Sequence, residues 1–408
     1  MKRHEIILIT ISGEDHPGVT SSITQILGKY NAVILDIGQA NLHHQLSLGL
    51  MFKIENVLHS GDMLKEILFR CTELGMQVRF TPISDEEYSA WVMRHGKPRH
   101  VVTLLGQEIT AKQISLVTKA VADRNLNIDS ITRLTGRPPL NLSAAEHPRS
   151  CVEFSVRGDV QDKHALAAEF LDISAKEGID ISFQRDDIYR RNRRLICFDM
   201  DSTLIKTEVI DELADRAGVG EEVRAITESA MRGEIDFKES FTRRVSLLRG
   251  LDESVMKDIA EHLPIMEGAD RVMSVLKKCG MKIAILSGGF TYFGKYLQER
   301  FGVDYVYANN LEIENGKLTG RYLGDIVDGK RKAELLNLIA QVEKIDLAQV
   351  IAVGDGANDL PMLNLAGLGI AFHAKPKVKA NAQQSISTIG LDGILYFLGF
   401  RDVHLDTL

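Results

Sequence analysis

The chain is poor in the residues on which small stapled or fibrous proteins depend. Its 408 residues include only four cysteines, nine prolines and one tryptophan. Cys71, Cys151, Cys197 and Cys279 lie far apart and form no Cys-x-x-Cys pair, which excludes a disulfide scaffold; reduced thiols in a cytoplasmic protein are expected. Positive charge is not in excess. Lys and Arg number 49 against 56 Asp and Glu, and a net charge of −7 gives no basic field for nucleic acid. No apolar run approaches the roughly 18 residues of a membrane span. Ile6–Ile11 is also too short for a signal-peptide core, despite Lys2 and Arg3. With 44% hydrophobic and 26% charged residues, neither a disordered tail nor a collagen-like fibre fits. What the chain does have is length, enough for two to four domains at about 100–200 residues each.

Residues 5–83 carry the order β-α-β-β-α-β, the ferredoxin-like pattern. Ile6–Ile11 reads as a strand, and Gly13–Gly18 breaks it. Val19–Tyr30 is a helix with Val19, Ile23, Ile26 and Leu27 on one face. Strands around 32–38 and 47–54, a helix over 63–74 and a strand over 76–80 follow. Residues 100–185 repeat this order. Asn31-Ala32-Val33-Ile34 and Asn125-Leu126-Asn127-Ile128 hold matching places about 94 residues apart. Residues 84–99 read as a polar linker, and 134–150, rich in proline and glycine, as a long loop. From Arg193 the pattern becomes alternating strands and helices, with a mostly helical insertion of about 80 residues after the first strand. Arg190, Arg191, Arg193 and Arg194 read as a solvated basic linker before that strand.

Three apolar runs, Leu195–Phe198, Lys282–Leu286 and Val350–Val353, end abruptly in polar or glycine residues. This is the mark of a parallel sheet whose site lies at the strand carboxyl ends. The first run ends in Asp199-Met200-Asp201-Ser202-Thr203, two carboxylates that need a cation or separate protonation states to coexist. The second ends in Ser287-Gly288-Gly289, a hydroxyl with glycine N–H groups suited to phosphate. The third ends in Gly354-Asp355-Gly356-Ala357-Asn358-Asp359, a source of hard oxygen ligands. Asp328–Ala333 opens a helix and offers Lys330 or Lys332 as a compact positive charge. Each motif alone also suits a turn or a helix cap.

Together and in this order they resemble the haloacid-dehalogenase superfamily, over residues 195–400. Asp199–Glu208, Ser287–Phe290 and Gly354–Met362 resemble its phosphoserine phosphatase family most closely. Residues 5–83 and 100–185 resemble ACT domains, and Asp15-His16-Pro17-Gly18 resembles the ACT ligand loop. The second copy has Gly106–Thr110 in that place and no Pro-Gly.

These resemblances imply a Rossmann-like α/β domain over 193–408 with a helical cap at about 204–270. Ferredoxin-like α+β domains over 1–84 and 100–187 precede it. They imply Mg²⁺-dependent hydrolysis of O-phospho-L-serine, the last step of serine biosynthesis. Asp199 would be nucleophile and Asp201 the acid and base. Mg²⁺ would sit on Asp199, the Asp201 carbonyl and Asp355. Ser287, Gly288, Gly289, Lys332 and Asn358 would bind phosphate, with Asp359 supporting Lys332. Glu208 would take the substrate ammonium and Arg244 its carboxylate, under a lid of Met231 and Phe237. Asp15, His16 and Gly18 would hold an amino-acid effector, although both modules could equally be dimerisation scaffolds and His16 could simply shape its turn. A homodimer is expected by analogy. Other small phosphomonoesters, or an amino-acid sensor without activity, are the alternatives.

Overall fold

Branched residues fill Glu5–Glu14 (β1), and Ile7, Ile9 and Ile11 point into one core. That strand begins the first α+β module of the computed structural model, which describes residues 4–94, 97–137, 149–232 and 234–405, without the side chains of Val57, Arg94 and Met231. Val19–Lys29 (α1), Val33–Leu42 (β2), Gln45–Ile54 (β3), Ser60–Glu73 (α2) and Gln77–Ile83 (β4) follow. The sheet is antiparallel in the order β2-β3-β1-β4. Leu46, Leu48, Leu50, Phe52 and Ile54 alternate along β3 and meet Ile23 of α1 and Met63 and Ile67 of α2. The polar stretch after β4 is mostly helix rather than linker: Asp85–Arg94 forms α3. The reason is a capping box. Glu87 N–H donates to Ser84 Oγ at 3.1 Å and Ser84 N–H to Glu87 Oε2 at 2.8 Å.

The chain divides into two compact units, Met1–Lys97 and Pro98–Leu408. The second begins with a second α+β module: Arg99–Gly106 (β5), Ala111–Ala122 (α4), Asn127–Arg133 (β6), Ser150–Arg157 (β7), Lys163–Glu177 (α5) and Asp180–Arg185 (β8), in sheet order β6-β7-β5-β8. Most of the loop expected over 134–150 lies outside the described residues. Val102 and Leu104 of β5 face this module's own helices, while Leu105 and Cys151 join the core of the domain that follows. The basic linker is not wholly solvated. Arg190 is buried and paired with Glu153 of β7, because the module's sheet packs on the domain that follows.

Leu195–Phe198 (β9) is the central strand of a seven-stranded sheet. Lys282–Phe290 (β10), Tyr305–Glu314 (β11) and Lys317–Leu323 (β12) extend it on one side. Val350–Gly354 (β13), Leu368–Phe372 (β14) and Gln384–Ile386 (β15) extend it on the other. Only the β11–β12 pair is antiparallel. The three motif-bearing strands are thus neighbours with their carboxyl ends at one edge. Helices Val209–Ala217 (α6), Gly220–Met231 (α7), Phe237–Leu247 (α8) and Ser254–Glu261 (α9) form the cap, and Ala269–Lys278 (α10) returns to the core. The cap leaves and returns through a two-chain stem, in which Lys206 N–H donates to Pro264 O and Met266 N–H to Leu204 O. Thr291–Phe301 (α11) and Gly329–Val342 (α12) cover the sheet. Among the described residues, no helix is long and apolar enough to cross a membrane.

Candidate active site

Asp199 directly follows β9, and its backbone N–H donates to Val353 O of β13, which pins it between neighbouring strands. Its Oδ1 accepts from Met200 N–H at 2.7 Å and lies 2.9 Å from Lys332 Nζ. Lys332 lies in the first turn of α12 and is fully buried. It also donates to Asp359 Oδ1 at 2.6 Å. Burial works against its charge, but Asp199 and Asp359 outweigh that and hold the lysine pKa above its usual value.

Carboxylate oxygens of Asp199, Asp355 and Asp359 lie within 4.8 Å of one another. Burial, then Asp199, Asp359 and Glu208, push Asp355 up to about 8. Burial and then Asp199 push Asp359 up to about 7. Three carboxyl groups so close, Asp199 and Asp359 buried and Asp355 half-buried, repel when ionised, and a hard divalent cation fits this donor set. Asp359 belongs to the cluster, but its Oδ1 is committed to Lys332 and its Oδ2 accepts from Gly356 N–H. The Asp201 carboxyl points elsewhere, accepting from Val209 N–H at 3.1 Å. Burial, then Glu208 and Asp199, hold Asp201 well above the carboxylate range, so it favours its protonated form.

The last residues of β10, where its pairing with β11 shifts register, face this cluster. Gly289 N–H donates to the buried Ser287 Oγ at 2.9 Å. A side chain at 289 would meet Asp201 and Met200, so the backbone approaches the acids only because the residue is glycine. Gly288 lies under the Phe237 ring of the cap. Asn358 is half-buried in the turn after β13.

Glu208 is the N-cap residue of α6. It keeps accessible surface, yet the protein crowded around its carboxyl raises its pKa; Asp199 and Asp211 add to this and Arg244 opposes it. Arg244 reaches in from α8. Its buried Nε has no hydrogen-bond partner among the described residues. Met231 ends α7, and its side chain lies outside the described residues.

In the first module, Asp15, His16 and Gly18 line a cavity of about 390 Å³ with Thr20, Gln39 and Leu46. The His16 ring is turned to backbone oxygens, with Nε2 3.2 Å from Leu74 O and Nδ1 3.3 Å from Pro17 O, and so shapes its turn.

Three residues escaped the sequence reading. Ser202 has φ 56° and donates from Oγ to Glu208 Oε1 at 2.8 Å. Thr203 Oγ1 reaches Asp355 Oδ1 at 3.4 Å. Asn309 of β11 is buried; its Nδ2 donates to Gly288 O at 2.8 Å and Gly289 O at 3.3 Å, and its Oδ1 accepts from Val327 N–H at 2.8 Å. Ser202 and Thr203 lie inside the Asp199 motif, which could have prompted the question; nothing adjacent marks Asn309.

Fold and site together define a haloacid dehalogenase-like hydrolase with two ACT domains. Residues 196–364 match the first family, and residues 5–81 and 98–184 match ACT families. The chain belongs to the phosphoserine phosphatase family and is an enzyme of that class. It is 37% identical over 396 residues to the phosphoserine phosphatase of Streptomyces coelicolor, covering 96% of this chain and 92% of that one. It is likewise 37% identical to phosphoserine phosphatase SerB2 of Mycobacterium tuberculosis, over 96% and 93% of the two chains. A crystal structure of a probable phosphoserine phosphatase from Vibrio cholerae superposes with a TM-score of 0.57 at 35% identity, over 76% of this chain and 89% of that one.

Proposed function

We propose that the chain hydrolyses O-phospho-L-serine to L-serine and phosphate through a phosphoryl group carried on Asp199. The observation that carries this is the pairing of Asp199 with buried Lys332 beside an Asp201 that favours its proton. A nucleophile held by a buried lysine and an acid that keeps its proton lie two residues apart, set in different surroundings. A carboxylate oxygen of Asp199 attacks phosphorus, and the bond from phosphorus to the serine oxygen breaks. Asp201 gives that oxygen its proton, then takes one from the water that cleaves the aspartyl-phosphate. Lys332, Ser287 and the Gly288–Gly289 backbone neutralise and orient the phosphoryl oxygens, and Asn358 lies where it can help. Asp199, the Asp201 carbonyl and Asp355 would hold Mg²⁺, which when bound draws charge from the phosphoryl oxygens and relieves repulsion among the acids.

The amino-acid end meets the cap. Glu208 takes the ammonium and Arg244 the carboxylate. The unpartnered Arg244 Nε supports this, since a buried donor calls for an acceptor. Met231 and Phe237 close over the substrate. Phosphate release from L-phosphoserine, D-phosphoserine and phosphothreonine, with and without Mg²⁺, tests the reading. Preference for the L-serine ester and dependence on the metal are expected; no release from any monoester would overturn it.

An amino acid in the cavity beside Asp15 and Gly18 would regulate the enzyme. Calorimetric titration with L-serine checks this, and equal binding by a Gly18→Val variant would contradict the site. Two copies pair through the first module, where β2 is a sheet edge with Val33, Ile34, Ile37 and Leu42 exposed. Sedimentation would show a dimer. The setting is cytoplasmic, which suits four unpaired thiols.

A further inference from the structure

The second α+β module is joined to the phosphatase core by buried polar contacts. The carboxylate of Asp180, at the start of β8, accepts from the N–H groups of Ser387 and Thr388 and from the Thr388 hydroxyl. The side-chain amide of Gln384 pairs with both N–H and C=O of Phe183, extending the edge of β8 by a side chain. These contacts fix the module to the core.

One further contact reaches the cap's base. Arg149, just before β7, pairs its guanidinium with Asp392, whose side chain is 5% exposed. Asp392 also accepts from Arg271 of α10 at 3.2 Å. Its carboxylate packs against Gly268, where a Cβ would stand 2.5 Å from Oδ1. Gly268 has φ 80°, which glycine adopts freely. Beside it, Leu391 N–H donates to Glu267 O at 2.7 Å. The turn carrying Asp392 and the turn at 267–268 are therefore locked together. Two residues before Gly268, Met266 N–H donates to Leu204 O in the cap stem. Leu204 follows Asp201 by three residues and precedes Glu208 by four. An unbroken set of contacts thus runs from the second module to the hinge that carries Arg244 and Phe237.

We propose that Arg149 is a positioning residue for the phosphatase: by holding Asp392 against Gly268, it fixes the return side of the cap stem. The second module is then a working part of the active site, although it contributes no group that touches substrate. Without Arg149, Asp392 keeps one of its two cationic partners and can swing from Gly268, and the stem loosens. Hinge residues absorb the backbone change when a lid closes, so their placement affects binding and turnover together.

The inference rests on the cap closing over phosphoserine, so the test has one arm that needs no activity. In the full chain, Arg149→Met should speed amide exchange at 204–206 and 265–268. Arg157→Met is the control, since Arg157 pairs with Asp129 inside the second module. It should speed exchange only within that module. In assays, Arg149→Met should raise KM and lower kcat for L-phosphoserine by about three- to tenfold in kcat/KM. Hydrolysis of p-nitrophenyl phosphate, which has no amino-acid end, should change less than twofold, and Arg149→Lys should restore most of the loss. Combined with Asp392→Asn, the effect should be less than additive. Unchanged exchange at the stem, or an effect equal to that of Arg157→Met, would overturn the proposal. If the parent chain releases no phosphate from phosphoserine, the proposed reaction fails, while the exchange result still decides the hinge.

Discussion

Phe237, the first residue of α8, lies over Gly288: a Cβ built on that glycine would stand 3.2 Å from the ring's Cζ. The cap therefore meets the 287–289 segment where a methyl group barely fits. Gly288→Ala should press the ring outward and weaken substrate closure by about 1 kcal/mol, or about fivefold in KM. Steady-state kinetics with L-phosphoserine check this, and Phe237→Leu in the same background should recover part of the loss.

Arg244→Ala should lower kcat/KM for L-phosphoserine by about 10²-fold, because it leaves the substrate carboxylate unpaired in a desolvated site. The same variant should leave p-nitrophenyl phosphate hydrolysis nearly unchanged. Comparison of the two substrates separates recognition of the amino-acid end from the phosphoryl chemistry.

The acid cluster gives a pH dependence with a definite sign. Asp355 and Asp359 rise from an ordinary 3.8 to about 8 and about 7 in the metal-free fold. A group whose pKa is raised by folding stabilises the fold at low pH and loses that contribution as pH climbs through the folded value. Metal-free protein should therefore lose stability between about pH 4 and pH 8. Mg²⁺ should restore it, with a larger gain in melting temperature at pH 8 than at pH 5. Differential scanning calorimetry in chelator and in Mg²⁺ measures both.

Asn309 ties the carbonyls of Gly288 and Gly289 to Val327, just before the helix that carries Lys332. If Gly288 and Gly289 bind phosphate as proposed, Asn309→Ala should unsettle them and weaken competitive inhibition by inorganic phosphate about tenfold, consistent with a lost buried hydrogen bond of ~1–2 kcal/mol.

The catalytic motifs were legible because each sits at a strand end and carries its own local mark. Asp199, Ser287 and Asp355 are 88 and 68 residues apart in sequence, yet β10, β9 and β13 are adjacent in the sheet. Helix α3 is not expected from the sequence, although Ser84 and Glu87 form a capping box, because the segment's polarity reads as a linker. Arg190 and Asn309 were not legible: their partners lie 37 and 18–21 residues away, and only the folded chain brings them together. The docked face of the second module did leave a trace. Val101-Val102-Thr103-Leu104-Leu105 is nearly continuous in apolar residues, as a strand buried on both faces should be, whereas β3 alternates.

The central claim is that the phosphoryl group passes to Asp199. Acid quenching of the Mg²⁺-loaded enzyme during turnover of radiolabelled L-phosphoserine tests it directly. The label should remain on the protein, map to the peptide containing Asp199, and be absent from a folded Asp199→Asn variant whose turnover falls by about 10³-fold or more. Phosphate released at the normal rate by that variant, or label found on another residue, would contradict the account.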